Sequence, residues 1–104
     1  MTERNGGTSL VYIRVRKNRI NIVGHAGYAE AGKDIVCAGI STLSQNLVAG
    51  LEELTEDKIN TISEPGWLEI IYRDLSKEGE LLIDSFFIGI NMIANEYPNN
   101  VRVM

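Results

Sequence analysis

Along the run Gly24-His25-Ala26-Gly27-Tyr28-Ala29-Glu30-Ala31-Gly32-Lys33-Asp34-Ile35-Val36-Cys37-Ala38-Gly39-Ile40-Ser41 the hydrophobic period of the chain changes. Upstream, Ile20 and Ile22 alternate with other residues, as in a half-buried strand. Downstream, Val36, Ile40, Leu43, Leu47, Leu51 and Leu54 recur every three or four positions, which predicts a helix with one buried stripe. Asp34 is a favoured N-cap type and opens this helix, which runs to about Leu54. Between strand and helix lies a loop with glycines near both ends. The same run holds the only histidine and the only cysteine of the chain.

Working outward, Thr8 to Lys17 reads as a first strand, with Val11, Ile13 and Val15 on one face and Leu10, Tyr12 and Arg14 on the other. Asn18 turns the chain, and Arg19 to Gly24 pairs back as the second arm of a hairpin. Arg14, Arg16, Lys17 and Arg19 gather near this turn, either as a solvated face or as a site for an acidic or ribosomal surface. Beyond the helix, Lys58 to Ser63 and Trp67 to Arg73 flank the turn signal Glu64-Pro65-Gly66 and form a second hairpin. Asp74 to Gly79 is a polar connection, Glu80 to Glu96 is a second helix, and Tyr97-Pro98-Asn99-Asn100 ends it. Val101 to Met104 is a short edge strand. The order ββαββα(β) implies an α+β fold, an antiparallel sheet with two helices packed on it.

Two details of the helices carry further expectations. Gly39 costs about 1 kcal/mol against alanine in a helix interior, so something packs closely there, a strand or loop being the natural candidate. Apolar residues cover most of the second helix, leaving Asp84, Asn91 and Asn95 as its polar line. One sheet face cannot bury so wide an apolar surface, which predicts a homodimer.

At 104 residues the chain is expected to form a single domain, residues 1–104, burying roughly two-thirds of its unfolded surface. Its net charge of −4 gives no broad attraction for phosphate backbones or anionic lipid, so no direct nucleic-acid or membrane partner is expected. Neither a secretory leader nor a run of about 20 apolar residues is present, and a lone cysteine cannot form an internal disulfide. A cytoplasmic protein is expected.

A thiol in the first turn of a helix lies where backbone N–H groups favour an anion. An Asp34 cap uses one of those groups and adds negative charge, so activation of Cys37 needs His25, the one side chain able to take the thiol proton and return it near neutral pH. Asp34 therefore has two competing jobs, capping the helix or orienting His25, and its two oxygens can serve both. Cys37, Ser41, Ser44 and Val48 form a second line, rotated roughly 80° from the buried stripe, from which a thiol reaches a cleft. Ser41 lines the site or bonds its own helix. Gly27 and Gly32 hinge a mobile loop that exposes Tyr28, or simply satisfy turn geometry. His25 and Cys37 are too few ligands for a metal, and no cofactor is expected.

The run Gly24-His25-Ala26, the glycine-containing loop, and Asp34-Ile35-Val36-Cys37-Ala38 with Ser41 resemble the signature of the bacterial ribosomal-processing cysteine protease family, Prp. Gly66-Trp67 and the ending Ala94-Asn95-Glu96-Tyr97-Pro98 resemble it too, so nearly the whole chain is covered. Gly39 and the polar Met1 to Gly7 extension are departures that remove no catalytic group. The resemblance implies a dimeric endopeptidase that removes a short N-terminal extension from large-subunit ribosomal protein twenty-seven, cutting after an aromatic residue. By similarity, Cys37 is the nucleophile, His25 its base, Asp34 the acidic residue before the cysteine, and Ser41 a serine shaping the substrate site. The loop from Ala26 to Lys33 is expected to move as substrate enters. Two other classes fit the residues alone: a non-catalytic ribosome-assembly module that binds the same peptide, and a thiol-transfer or redox protein using Cys37.

Overall fold

The structure, a computed structural model, describes residues 10–24 and 35–104. Within them the chain runs β1 (Val11–Arg16), β2 (Arg19–Val23), α1 (Ile35–Leu54), β3 (Ile59–Glu64), β4 (Trp67–Tyr72), α2 (Lys77–Glu96) and β5 (Val101–Val103). Five strands form one sheet in the order β3-β4-β2-β1-β5. This is the expected α+β sheet with two helices, and its pairings are antiparallel except that β5 runs parallel to β1. Each 20-residue helix spans roughly 30 Å, enough to carry the chain back along the whole sheet. The strand after a helix must then run in the same direction as the strand before it, and this direction makes β5 parallel to its neighbour.

Register places the core residues of neighbouring strands on one face. Ile13 stands opposite Ile22, Ile20 opposite Ile70, Ile22 opposite Leu68, and Val11 opposite Val101. Val36, Ile40, Leu47 and Leu51 of α1 and Ile83, Phe86 and Ile90 of α2 close the same core. The expected division of β1 therefore holds, with Val11 and Ile13 buried and Arg14 exposed. The opposite face is mixed, with Val23, Ile62, Trp67 and Ile71 among polar residues. There Arg19 pairs with Glu69 at 2.9 Å, and the Asn21 side-chain amide donates to the Leu68 carbonyl at 3.3 Å.

The helices lie antiparallel: Gly39 faces Ile93, Leu43 faces Gly89, and Gly50 faces Leu82. A methyl at Gly39 would sit 3.1 Å from Ile93 Cδ1, and one at Gly89 would sit 2.9 Å from Leu43 Cδ2. The close neighbour of Gly39 is thus a side chain of the other helix and not a strand or loop, because the missing side chains let two helices approach on one sheet face. Leu54 departs from the expected stripe and is exposed. Extended along the helices, the same pairing sets it opposite the polar start of α2, where no apolar partner exists.

The second helix begins earlier than its apolar pattern suggests. Ser76 is its N-cap, and its Oγ accepts from the Gly79 N–H at 3.0 Å. The Ser76 N–H and hydroxyl donate to Asp57 at 3.0 and 2.7 Å, and the Asp57 N–H donates to Thr55 Oγ1. These bonds from Ser76 hold the Asp57 carboxyl below its ordinary value of 3.8. Gly79, read from sequence as loop, is helical, and the Asp57 carboxylate occupies the place a side chain there would need. No helix among the described residues is long and apolar enough to cross a membrane.

Candidate active site

Cys37 is the third residue of α1 and is half-buried, with no disulfide. Its helix begins at the same end of the sheet where β2 finishes and β4 starts, since Val23 stands opposite Trp67. Gly24 follows β2 with φ +115°, and its N–H donates to the Gly66 carbonyl at 2.9 Å. A side chain at Gly24 would meet the Leu10 carbonyl, so the space and the left-handed backbone both require glycine.

A cleft of about 450 Å³ opens between α1 and the β3–β4 hairpin, within the usual range of ligand sites. Cys37, Ser41, Ser44, Gln45, Val48 and Glu52 line it from α1, along about 22 Å of helix. Thr61, Ser63, Glu64, Gly66, Trp67 and Leu68 line it from the hairpin, and Gly24, Val11 and Ile22 from β2 and its neighbour. The expected second line of α1, Cys37, Ser41, Ser44 and Val48, thus faces the cleft throughout. Ser44 is buried and donates to the Ile40 carbonyl at 2.7 Å, so its hydroxyl serves its own helix. Ser41 is exposed, and its Oγ accepts from Gln45 Nε2 at 2.9 Å.

The first turn of α1, Ile35 to Ala38, carries no acidic side chain. His25, Asp34 and the loop residues Gly27, Tyr28 and Gly32 lie outside the described residues. Cys37 and Ser41 stand on one wall of one cleft, and Gly24, next to His25 in the chain, stands on the same cleft. The opposite wall was not legible as a site in the sequence. Gly66-Trp67 stood out only through family likeness, because register and hairpin packing, which bring Trp67, Thr61 and Ser63 opposite Cys37, have no local signal.

A half-buried thiol at a helix start, on the wall of a long cleft with polar and apolar lining, is an arrangement suited to a thiol-dependent enzyme. The comparisons agree. Residues 10–102 match the family described as cysteine protease Prp. Over 99 residues the chain is 34% identical to the ribosomal processing cysteine protease Prp of Mycoplasma genitalium, covering 90% of this chain and 94% of that one. The structure of the ribosomal processing protease Prp from S. aureus with a covalently linked product peptide superposes with a TM-score of 0.80 at 27% identity, covering 92% of this chain and 97% of that one. The same protease with a substrate peptide gives 0.79 at 26% identity, over 93% and 98%. The chain belongs to the cysteine protease Prp family and is a peptide hydrolase.

Proposed function

We propose that this protease removes the short N-terminal extension of large-subunit ribosomal protein twenty-seven, with Cys37 as nucleophile and His25 as general base. The observation that carries the assignment is the shared cleft: Cys37 and Gly24, the residue before His25, line it together. His25 takes the thiol proton, and the sulfur attacks the scissile carbonyl to give a tetrahedral oxyanion. The Cys37 N–H and its first-turn neighbours are the local donors for that oxygen. Collapse expels the amine, which takes the proton from the imidazolium and leaves an acyl-enzyme for water to hydrolyse. Asp34 orients the histidine, caps α1, or does both. Ser41 contacts the bound peptide, Trp67 and Val48 offer it apolar surface, and the segment with Gly27, Tyr28 and Gly32 moves as it enters. That the S. aureus relative carries a covalently linked product peptide supports a covalent route.

The exposed apolar line of α2, with Leu81, Ile88 and Met92 at 69%, 64% and 68% exposure, supports a homodimer that covers it. A single domain working in ribosome biogenesis, in the cytoplasm, and without metal or cofactor completes the proposal. The test uses purified protein with a peptide spanning the extension, read by mass spectrometry beside Cys37→Ala and His25→Ala. Cleavage at one bond is expected from the wild type only. A peptide that binds tightly but stays intact would overturn the proposal in favour of a binding module. Sedimentation is expected to give a dimer, and a monomer at micromolar concentration refutes that part.

A further inference from the structure

A second groove lies on the opposite face and at the opposite end of the sheet, separated from the Cys37 end by four residue steps of β2, about 13 Å. It has a volume of about 670 Å³ and shares no lining residue with the cleft. Arg16, Lys17, Arg19, Lys58 and Arg73 line it, half of the ten Lys and Arg residues in the chain, against one acid, Asp74. They come from three separate places: the β1–β2 turn, the entry to β3 and the end of β4. The Tyr72 N–H donates to the Asn18 carbonyl at 2.9 Å, which ties the turn to β4. Arg19 is held by Glu69 beneath it, so Arg16, Lys17, Lys58 and Arg73 are the cations whose charge has no such partner among the ion pairs of the described residues. Asn18 and Asn60 add amide donors, and Ile71 and Tyr72 are the only apolar lining. Burial raises the Tyr72 hydroxyl above its ordinary value of 10.0.

The chemistry narrows the partner. Cores of protein–protein interfaces are depleted in charge and enriched in apolar and aromatic groups, whereas interfaces with nucleic acid are strongly positive and polar. This groove is of the second kind. The chain as a whole is negative, and Asp74, Glu80 and Asp84 line the neighbouring groove on the other side of Asn18 and Tyr72. A polyanion is therefore repelled elsewhere and directed here. We propose that this groove binds the phosphate backbone of RNA, independently of the peptide cleft.

The probe is a labelled single-stranded RNA of about twenty nucleotides and mixed sequence, followed by fluorescence anisotropy at several salt concentrations. Four phosphate contacts predict a slope of log K against log salt of about −3, a loss of roughly fifty-fold in affinity between about 50 and 200 mM. The Lys17→Glu, Lys58→Glu, Arg73→Glu triple variant is expected to lose at least tenfold in RNA affinity and to cleave peptide as the wild type does. Should the triple variant fail to fold by circular dichroism, Lys58→Gln alone is expected to reduce the slope by about 0.7. Wild-type binding that ignores salt, or a charge-reversed or Lys58→Gln variant that binds like the wild type, overturns the proposal. Equal competition by a poly-glutamate peptide overturns RNA as the occupant and assigns the groove to acidic polypeptide.

Discussion

The two helices are equal in length and antiparallel, yet their first turns differ in charge. At the start of α2, Ser76 caps the Gly79 N–H, Glu78 and Glu80 occupy the first turn, and Asp57 adds a carboxylate from the α1–β3 loop. Its positive end is matched by the protein's own anions, an arrangement that stabilises a helix and leaves little for a ligand. The first turn of α1, Ile35 to Ala38, has no acid of its own and carries the thiol. A developing negative charge near Cys37 therefore meets no acidic side chain within that turn. The contrast separates a first turn lined with acids from one that carries the thiol proposed as nucleophile.

The strongest way to break this comparison is at the thiol. Cys37→Ala is expected to lower peptide cleavage by more than about 10⁴-fold while the melting temperature stays close to the wild type's. His25→Ala is expected to lower kcat by about 10² to 10⁴-fold, the usual contribution of a general base. Cleavage that survives Cys37→Ala would remove α1 from the chemistry altogether.

A smaller effect sharpens the comparison. Ala38 is exposed in the first turn of α1. Making α1 resemble α2 by Ala38→Glu is expected to stabilise the fold by about 0.3–1 kcal/mol and to slow cleavage by about two- to five-fold at low salt, with the difference shrinking as salt screens it. Ala38→Lys is expected to reverse both signs. If Ala38→Glu left the rate unchanged at low salt, the positive end of α1 would have no part in catalysis.

At α2 the expected effects fall on stability alone. Ser76→Ala removes the cap and is expected to cost about 1 kcal/mol, a drop of about 4–8 °C in melting temperature, with kcat preserved. The lowered Asp57 carboxyl gives the sign of the smallest effect. Because its folded value lies below the unfolded 3.8, its stabilisation is fully present above that pH and is lost as pH falls through the folded value. Asp57→Asn is therefore expected to weaken the fold at neutral pH and to flatten the acid side of the stability profile, read by thermal melts at successive pH values. An unchanged acid limb would dismiss the Asp57–Ser76 bonds as a stabilising pair.

Much of the fold was legible because it follows from local periodicity. Alternation at Val11, Ile13, Ile20 and Ile22 specified strands and their buried face, and the stripe from Val36 to Leu51 specified α1. The start of α2 was misplaced because Lys77-Glu78-Gly79 is polar and contains glycine, while the Asp57 carboxylate that requires the glycine comes from 22 residues earlier. Within the candidate site, one wall was legible and the other was not. Helical spacing put Cys37, Ser41, Ser44 and Val48 on one line, whereas Trp67, Thr61 and Ser63 reach the cleft only through the register of β3 and β4.

By itself the amino-acid sequence determined the element order, the core face of the first hairpin and of α1, and the position of the thiol at a helix start, since each depends on neighbours within a few residues. Only the tertiary structure decided that β5 runs parallel to β1, that Gly39 and Gly89 let two helices meet, and that Lys58 and Arg73 join the cations of the β1–β2 turn. These depend on residues brought together across tens of positions, where side-chain volume and charge act through space and leave no period in the sequence. A net charge of −4 conceals a cationic groove for the same reason: a sum over the chain carries no information about where its members stand.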